Sequence, residues 1–220
     1  MNHPIFSQIS RAIQKPLPGK LGHLRMSPVS LDKYREPKTG YKEAGVFLLI
    51  YPKADEWYIL FIRRTSNHPG DKHAGQISFP GGKKDLEDVD LLACAQRELF
   101  EEVGIAKNQY QLLGALSPIF VYVSNFLVAP FVGFSETPLS FVPEVAEVAG
   151  LIEWPLSEFL GFANRKIMDM PIRNQTIKNM PYFDLDGQIL WGATAMILSE
   201  FLLVLEQLNI SEDQLKLKLE

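Results

Sequence analysis

The chain has 220 residues, 46% of them hydrophobic and 22% charged, with 22 basic against 26 acidic side chains and a formal charge of -4. That composition excludes a chain disordered throughout, and the lack of any Lys/Arg block excludes binding to nucleic acid by massed phosphate neutralisation. The single cysteine, Cys94, excludes an intrachain disulfide and a cysteine-built zinc site.

Residues 3–15 carry Ile5, Ile9, Ala12 and Ile13 at helical spacing, and Pro16, Pro18 and Gly19 stop the pattern, which predicts a short leading helix. Residues 20–43 are polar with Pro28 and Pro37, and read as a surface connection with no regular element. The runs 45–51 (GVFLLIY) and 57–63 (WYILFIR) predict a strand pair, followed by a Gly/Pro/His-rich loop over 67–82. Leu92, Ala95, Leu99 and Val103 then recur at helical spacing, with Gly104 as the C-cap. Strands are expected at 110–116, 119–123, 126–134 and 149–154. The segment 193–208 reads as the best amphipathic helix of the chain. The fold class is therefore α+β, a mixed β-sheet between helices in an α/β/α sandwich. A helix and connection occupy 1–40, one domain 41–210 and a tail 211–220.

The N-terminus lacks the apolar core of a secretory signal, and the longest apolar stretches fall short of the ~18–20 residues that cross a bilayer. A cytoplasmic protein with no membrane or nucleic-acid partner is the expectation, in keeping with a lone cysteine.

Charge counting singles out 81–104, where seven acidic residues stand against three basic ones, a local balance equal to the net charge of the whole chain. On a helix, Glu98, Glu101 and Glu102 share one face by their i, i+3, i+4 spacing, and Arg97 can pair with Glu101 at i, i+4. Read alone, such a face is a solvated acidic surface, since exposed like-charge pairs cost only a few tenths of a kcal/mol. Held rigidly, the same hard oxygens suit Mg²⁺ or Mn²⁺.

The surrounding motif favours the second reading. FPGG (79–82) followed by RELFEEVGI (97–105) resembles the signature of the Nudix hydrolases, a glycine, five residues, a glutamate, seven residues and then REUXEEXGU with U aliphatic. Every fixed position from Arg97 onward matches: Arg97, Glu98, Leu99, Glu101, Glu102, Gly104 and Ile105. The spacing from Gly82 to Arg97 is one residue longer than the general pattern, Val89 stands where the first glutamate would, and Asp88 is the nearest acid. Upstream, ILFIRRT (59–65) and HAGQISFPGG (73–82) resemble the coenzyme A pyrophosphatase branch, whose box commonly carries the same extra residue. EVAGLIEWPL (147–156) and WGATA (191–195) resemble further segments of that branch.

The resemblance implies a Nudix fold and a metal-dependent pyrophosphohydrolase with Mg²⁺ or Mn²⁺ on Glu98, Glu101, Glu102 and Glu147, one of these being the general base. It implies Gly81 and Gly82 as the turn that approaches metal and phosphates, and Arg97 and Gly104 as structural residues. Arg63, Arg64 and His73 are the cations available to an anionic substrate. The implied substrate is coenzyme A or a derivative, cut to 3′,5′-ADP and (acyl)phosphopantetheine, and a homodimer is common in the superfamily. Two alternatives stay open: a pyrophosphatase for ADP-ribose, a dinucleotide or an oxidised nucleoside triphosphate, and a non-catalytic nucleotide sensor on the same fold. Phe183 and Trp191 are read as core rather than base-stacking residues, and Cys94 as a small buried hydrophobe.

Overall fold

The computed structural model describes residues 3–28, 39–65, 75–172 and 175–217. Two long strands, β1 (Lys42–Lys53) and β2 (Glu56–Arg64), pair antiparallel around a turn in which Ala54 takes a positive φ. Beyond their shared end the two diverge, and the short strands β3 (Ile77–Ser78) and β4 (Gly81–Lys83) fill the gap on β2 and β1 respectively. The expected loop 67–82 therefore contains sheet at its C-terminal end, because two splayed strands leave backbone groups that must find partners. On its other side β1 runs parallel to β7 (Phe126–Phe134), which also pairs with β5 (Gln111–Ala115) and β6 (Ile119–Val121). The strand β8 (Val148–Pro155) borders β2.

Alternation along β1 and β2 sorts the core into two layers. Phe47, Leu49, Tyr51, Leu60 and Ile62 face the helix α3 (Leu91–Val103) through Ala95, Leu99 and Val103. Leu48, Ile50, Ile59 and Phe61 face α1 (Pro4–Ile13) and α4 (Gly192–Gln207) on the opposite side. A mixed sheet thus lies between helices, as the sequence predicts.

Three features depart from the sequence reading. Residues 20–43 are not wholly irregular: a five-residue helix, α2 (Lys20–Leu24), begins after Gly19, whose φ of 55° turns the chain back toward α4. A second sheet of β9 (Arg165–Ile172), β10 (Gln175–Leu185) and β11 (Gln188–Trp191) occupies a region for which no strands were expected. Prolines at 171 and 181 and a register shift between Ile177 and Met180 break its alternation. Finally, α4 is not amphipathic but buried on most sides, including Ser199 and Glu200. The chain closes on α5 (Glu212–Leu215), with Leu215 fully buried and the Leu217 N–H bonded to Asp55 O at 2.7 Å.

The burial of Glu200 follows from α2. Gly22 lies so close that a Cβ there would meet Glu200 Cα at 2.7 Å. The carboxylate accepts the Gly19 N–H at 2.8 Å and the Ser117 N–H at 3.0 Å, and lies 3.3 Å from His23 Nε2. Burial pushes its pKa up, but the donors of His23, Ser117 and Gly19 outweigh that effect and hold the carboxyl below its usual range. Removing the acid strands these donors in the core. Glu200→Ala is expected to lower stability in urea unfolding by roughly 3–5 kcal/mol.

Candidate active site

Helix α3 positions the acidic cluster, and both of its ends are fixed by side chains or special backbone. The Asp90 carboxylate accepts the Ala93 N–H at 2.7 Å as N-cap. At the other end Gly104 turns left-handed (φ 76°) and its N–H reaches Phe100 O at 2.8 Å. The loop 141–147 then docks against the exposed carbonyls of that last turn: Val142 N–H donates to Val103 O (2.9 Å) and Glu144 N–H to Glu102 O (3.0 Å). From the opposite side, Thr65 at the end of β2 donates its N–H to Glu147 O (2.9 Å) and its hydroxyl to Ala146 O (2.8 Å). These four bonds carry Glu147 to the helix.

The result is a group of three carboxylates, Glu98, Glu102 and Glu147, with one ligand oxygen from each within 4.8 Å of the others. Glu102 is 1% exposed, accepts the Gly81 N–H at 2.7 Å and lies 3.4 Å from Arg64 Nη1. Burial pushes its pKa up to about 8 against the opposing pull of Gly81 and Arg64, and Glu98 and Glu147 add to the rise. Burial likewise raises the Glu98 pKa, offset in part by Arg97. Glu147 is exposed and forms the solvent side of the cluster.

Glu101, expected to converge with the others, does not. Its half-exposed carboxylate is taken by Arg97 Nη1 at 2.7 Å and lies outside the three-acid group. Arg97 also binds Glu98 (2.9 Å) and the nearly buried Asp88 through Nε (3.1 Å) and Nη2 (2.9 Å). Asp88 thus ties the loop before α3 to the helix. The sequence marked it only as the acid nearest the missing signature glutamate.

Both glycines sit where no side chain fits. At Gly81 (φ 152°) a Cβ would meet Val46 Cα at 2.6 Å, and at Gly82 it would press on the Glu98 carboxylate. Arg64 lies beside Glu102, whereas Arg63, one residue earlier, projects to the other face of the sheet and donates to Gln188 Oε1 at 2.5 Å. His73 lies outside the described residues. Phe183 is fully buried and Trp191 half-buried. Burial pushes the Cys94 thiol up to about 11, consistent with a core residue. Thr65 and Gln188 were not singled out from the sequence; Thr65 closes the ILFIRRT motif, but Gln188 carried no signal of its own.

Residues 42–167, more than half the chain, match the family model of the NUDIX domain. The chain belongs to the Nudix family. Two relatives, each described as an uncharacterized Nudix hydrolase NudL, come from Yersinia pestis (strain Pestoides F) and Yersinia pseudotuberculosis serotype O:1b (strain IP 31758). Both are 38% identical over 140 residues, covering 63% of this chain and 68% of the relative. A crystal structure of a MutT/nudix family protein from Enterococcus faecalis superposes with a TM-score of 0.53 over 94% of this chain and 76% of that one, at 14% identity, a likeness of fold. Membership of the Nudix hydrolases makes this chain a hydrolase of acid anhydrides, and divalent cations generally serve that family. Among the described residues no helix is long and apolar enough to cross a membrane.

Two tests follow from the geometry. A carboxyl whose folded pKa is raised binds protons that the unfolded chain has lost, so stability falls as pH rises from about 4.5 through about 8. Metal-free Glu102→Gln is therefore expected to be more stable than the wild type at pH 8, with the difference vanishing toward pH 4.5, read from thermal unfolding across that range. Gly82→Ala should displace the Glu98 carboxylate and cut turnover while the circular dichroism spectrum stays unchanged.

Proposed function

We propose that this Nudix hydrolase is a metal-dependent pyrophosphohydrolase of coenzyme A or its derivatives, releasing 3′,5′-ADP and (acyl)phosphopantetheine. The observation that carries the catalytic part is the convergence of Glu98, Glu102 and Glu147 from two separate segments. Three hard oxygen donors, one of them buried, fit Mg²⁺ or Mn²⁺, and the cations beside them among the described residues are Arg64 at Glu102 and Arg97 at Glu98. A divalent cation held there would acidify water and offset the charge of a diphosphate.

The chain's own groups supply the rest. Glu98 and Glu102 hold the cation from within, Gly81 N–H fixes the Glu102 carboxylate, and Arg97 fixes Glu98. Glu147 completes the oxygen set on the solvent side, and it or one of the other glutamates would take the proton of the attacking water as its oxygen bonds to phosphorus and the bridging P–O bond breaks. Arg64, one-third exposed beside Glu102, faces the incoming diphosphate. Glu101 stands at the rim, engaged by Arg97. The choice of coenzyme A rests on the likeness of residues 59–65, 73–82 and 147–156 to the coenzyme A pyrophosphatase branch. A cytoplasmic setting and a homodimer rest on the sequence and the resemblance alone.

Purified protein is expected to convert coenzyme A to 3′,5′-ADP in the presence of Mg²⁺ or Mn²⁺, in preference to ADP-ribose, NADH and diadenosine polyphosphates. Products that place another substrate first would overturn the coenzyme A reading. Glu98→Gln and Glu102→Gln should each lower kcat by roughly 10³-fold or more, and Glu101→Gln by far less, since only the first two lose oxygens from the cluster.

A further inference from the structure

Glu147 is the exposed member of the three-acid group, and it stands on a turn that buries almost no apolar surface. Val145 is 80% exposed, and Ala146 and Glu147 are exposed as well, so hydrophobic burial does little to fix the path of this segment. A segment of this kind keeps one shape only if its backbone groups are bonded.

All four backbone groups of Ala146 and Glu147 are. The Ala146 N–H donates to Glu144 Oε1 at 3.1 Å, and the Ala146 carbonyl accepts the Thr65 hydroxyl at 2.8 Å. The Glu147 N–H donates to Glu144 O at 2.9 Å, and the Glu147 carbonyl accepts the Thr65 N–H at 2.9 Å. Two residues therefore hold the acid-bearing segment, one from each side. Glu144 also reaches the helix, donating its own N–H to Glu102 O at 3.0 Å, so its main chain joins one acid of the cluster to another. Beyond Glu147 the chain is anchored by Val148, which is buried in the layer facing α3 and donates its N–H to Glu144 O at 2.8 Å. The Glu144 carboxylate itself lies outside the group formed by Glu98, Glu102 and Glu147. Its acceptor is turned onto the backbone.

We propose that Glu144 and Thr65 are positioning residues for Glu147: their side chains pin the N–H and the carbonyl of Ala146, and so hold the Glu147 carboxylate where it can share a divalent cation with Glu98 and Glu102. The inference rests on the metal site read above and deepens it, by assigning the preorganisation of the exposed ligand to two residues beyond the cluster. Both act through Glu147 and not on the reacting atoms.

The test is titration of the metal-free full chain with Mn²⁺ by calorimetry, which reads affinity rather than turnover. Glu144→Ala and Thr65→Val are each expected to weaken binding roughly 3- to 10-fold, the net worth of one hydrogen bond. Glu144→Gln, which keeps an acceptor for the Ala146 N–H, and Thr65→Ser, which keeps the hydroxyl, should each stay within about twofold of the wild type. Glu147→Gln should weaken binding by itself, and adding Glu144→Ala to it should cost less than about twofold more, because the partner through which Glu144 acts is already lost. Wild-type affinity in either Glu144→Ala or Thr65→Val would overturn the proposal. So would a full additional loss from Glu144→Ala in the Glu147→Gln background, or a Glu144→Gln as weak as Glu144→Ala, which would show that the cation feels the charge of Glu144 directly. A Glu147→Gln protein that binds Mn²⁺ as tightly as the wild type would overturn the three-acid metal site and this proposal together, a pattern distinct from one in which Glu147→Gln alone weakens binding.

Discussion

Burying the carboxylate of Glu102 is the constraint on which the site depends. A carboxylate at 1% exposure loses most of its hydration, and its protein donors, one backbone N–H and an arginine at 3.4 Å, fall short of replacing it. Burial, with Glu98 and Glu147 adding to it, pushes its pKa up for that reason. On the reading proposed above, the missing charge would arrive from outside as a divalent cation. α3 is clamped at both ends, the FPGG turn presses its backbone against Glu102 and Glu98, and Glu147 is brought up on the open side. A structure optimised only for stability would place an apolar side chain at 102. Holding an ionisable group there makes sense where a divalent cation completes it.

The same constraint accounts for the behaviour of Arg97. It satisfies Asp88, Glu98 and Glu101 at once, so the acidic helix is not left to self-repulsion, yet it does not reach Glu102. Its pairing with Asp88 draws in the loop that leads from the glycine turn to the helix.

Much of this was legible in the residues. The spacing of Leu92, Ala95, Leu99 and Val103 and the glycine at 104 give α3 and its stop, and the two-residue period of β1 and β2 gives the sheet with a core on each face. Glu98 and Glu102 share a face by helical geometry alone. Glu101 shared it too by that rule, but angular position on a helix does not say which carboxylate an arginine four residues earlier will claim. Glu147 was reached through the likeness of 147–156 to a known segment, while the backbone bonds that bring it in, from Thr65 and to the end of α3, join segments far apart in sequence that no local pattern encodes. Arg63 and Arg64 look equivalent as a pair until strand alternation sends them to opposite faces. The β9–β11 sheet hides behind prolines and a bulge, although Asp186-Gly187 between β-forming runs was a hairpin signal open to reading.

The most direct measurement is a crystal structure of the protein grown with Mn²⁺, read through its anomalous difference map. The account predicts a strong peak bonded to carboxylate oxygens of Glu98, Glu102 and Glu147. A map in which manganese lies only on surface acids such as Glu87 or Glu144, with Glu102 still paired to Arg64 alone, would contradict it.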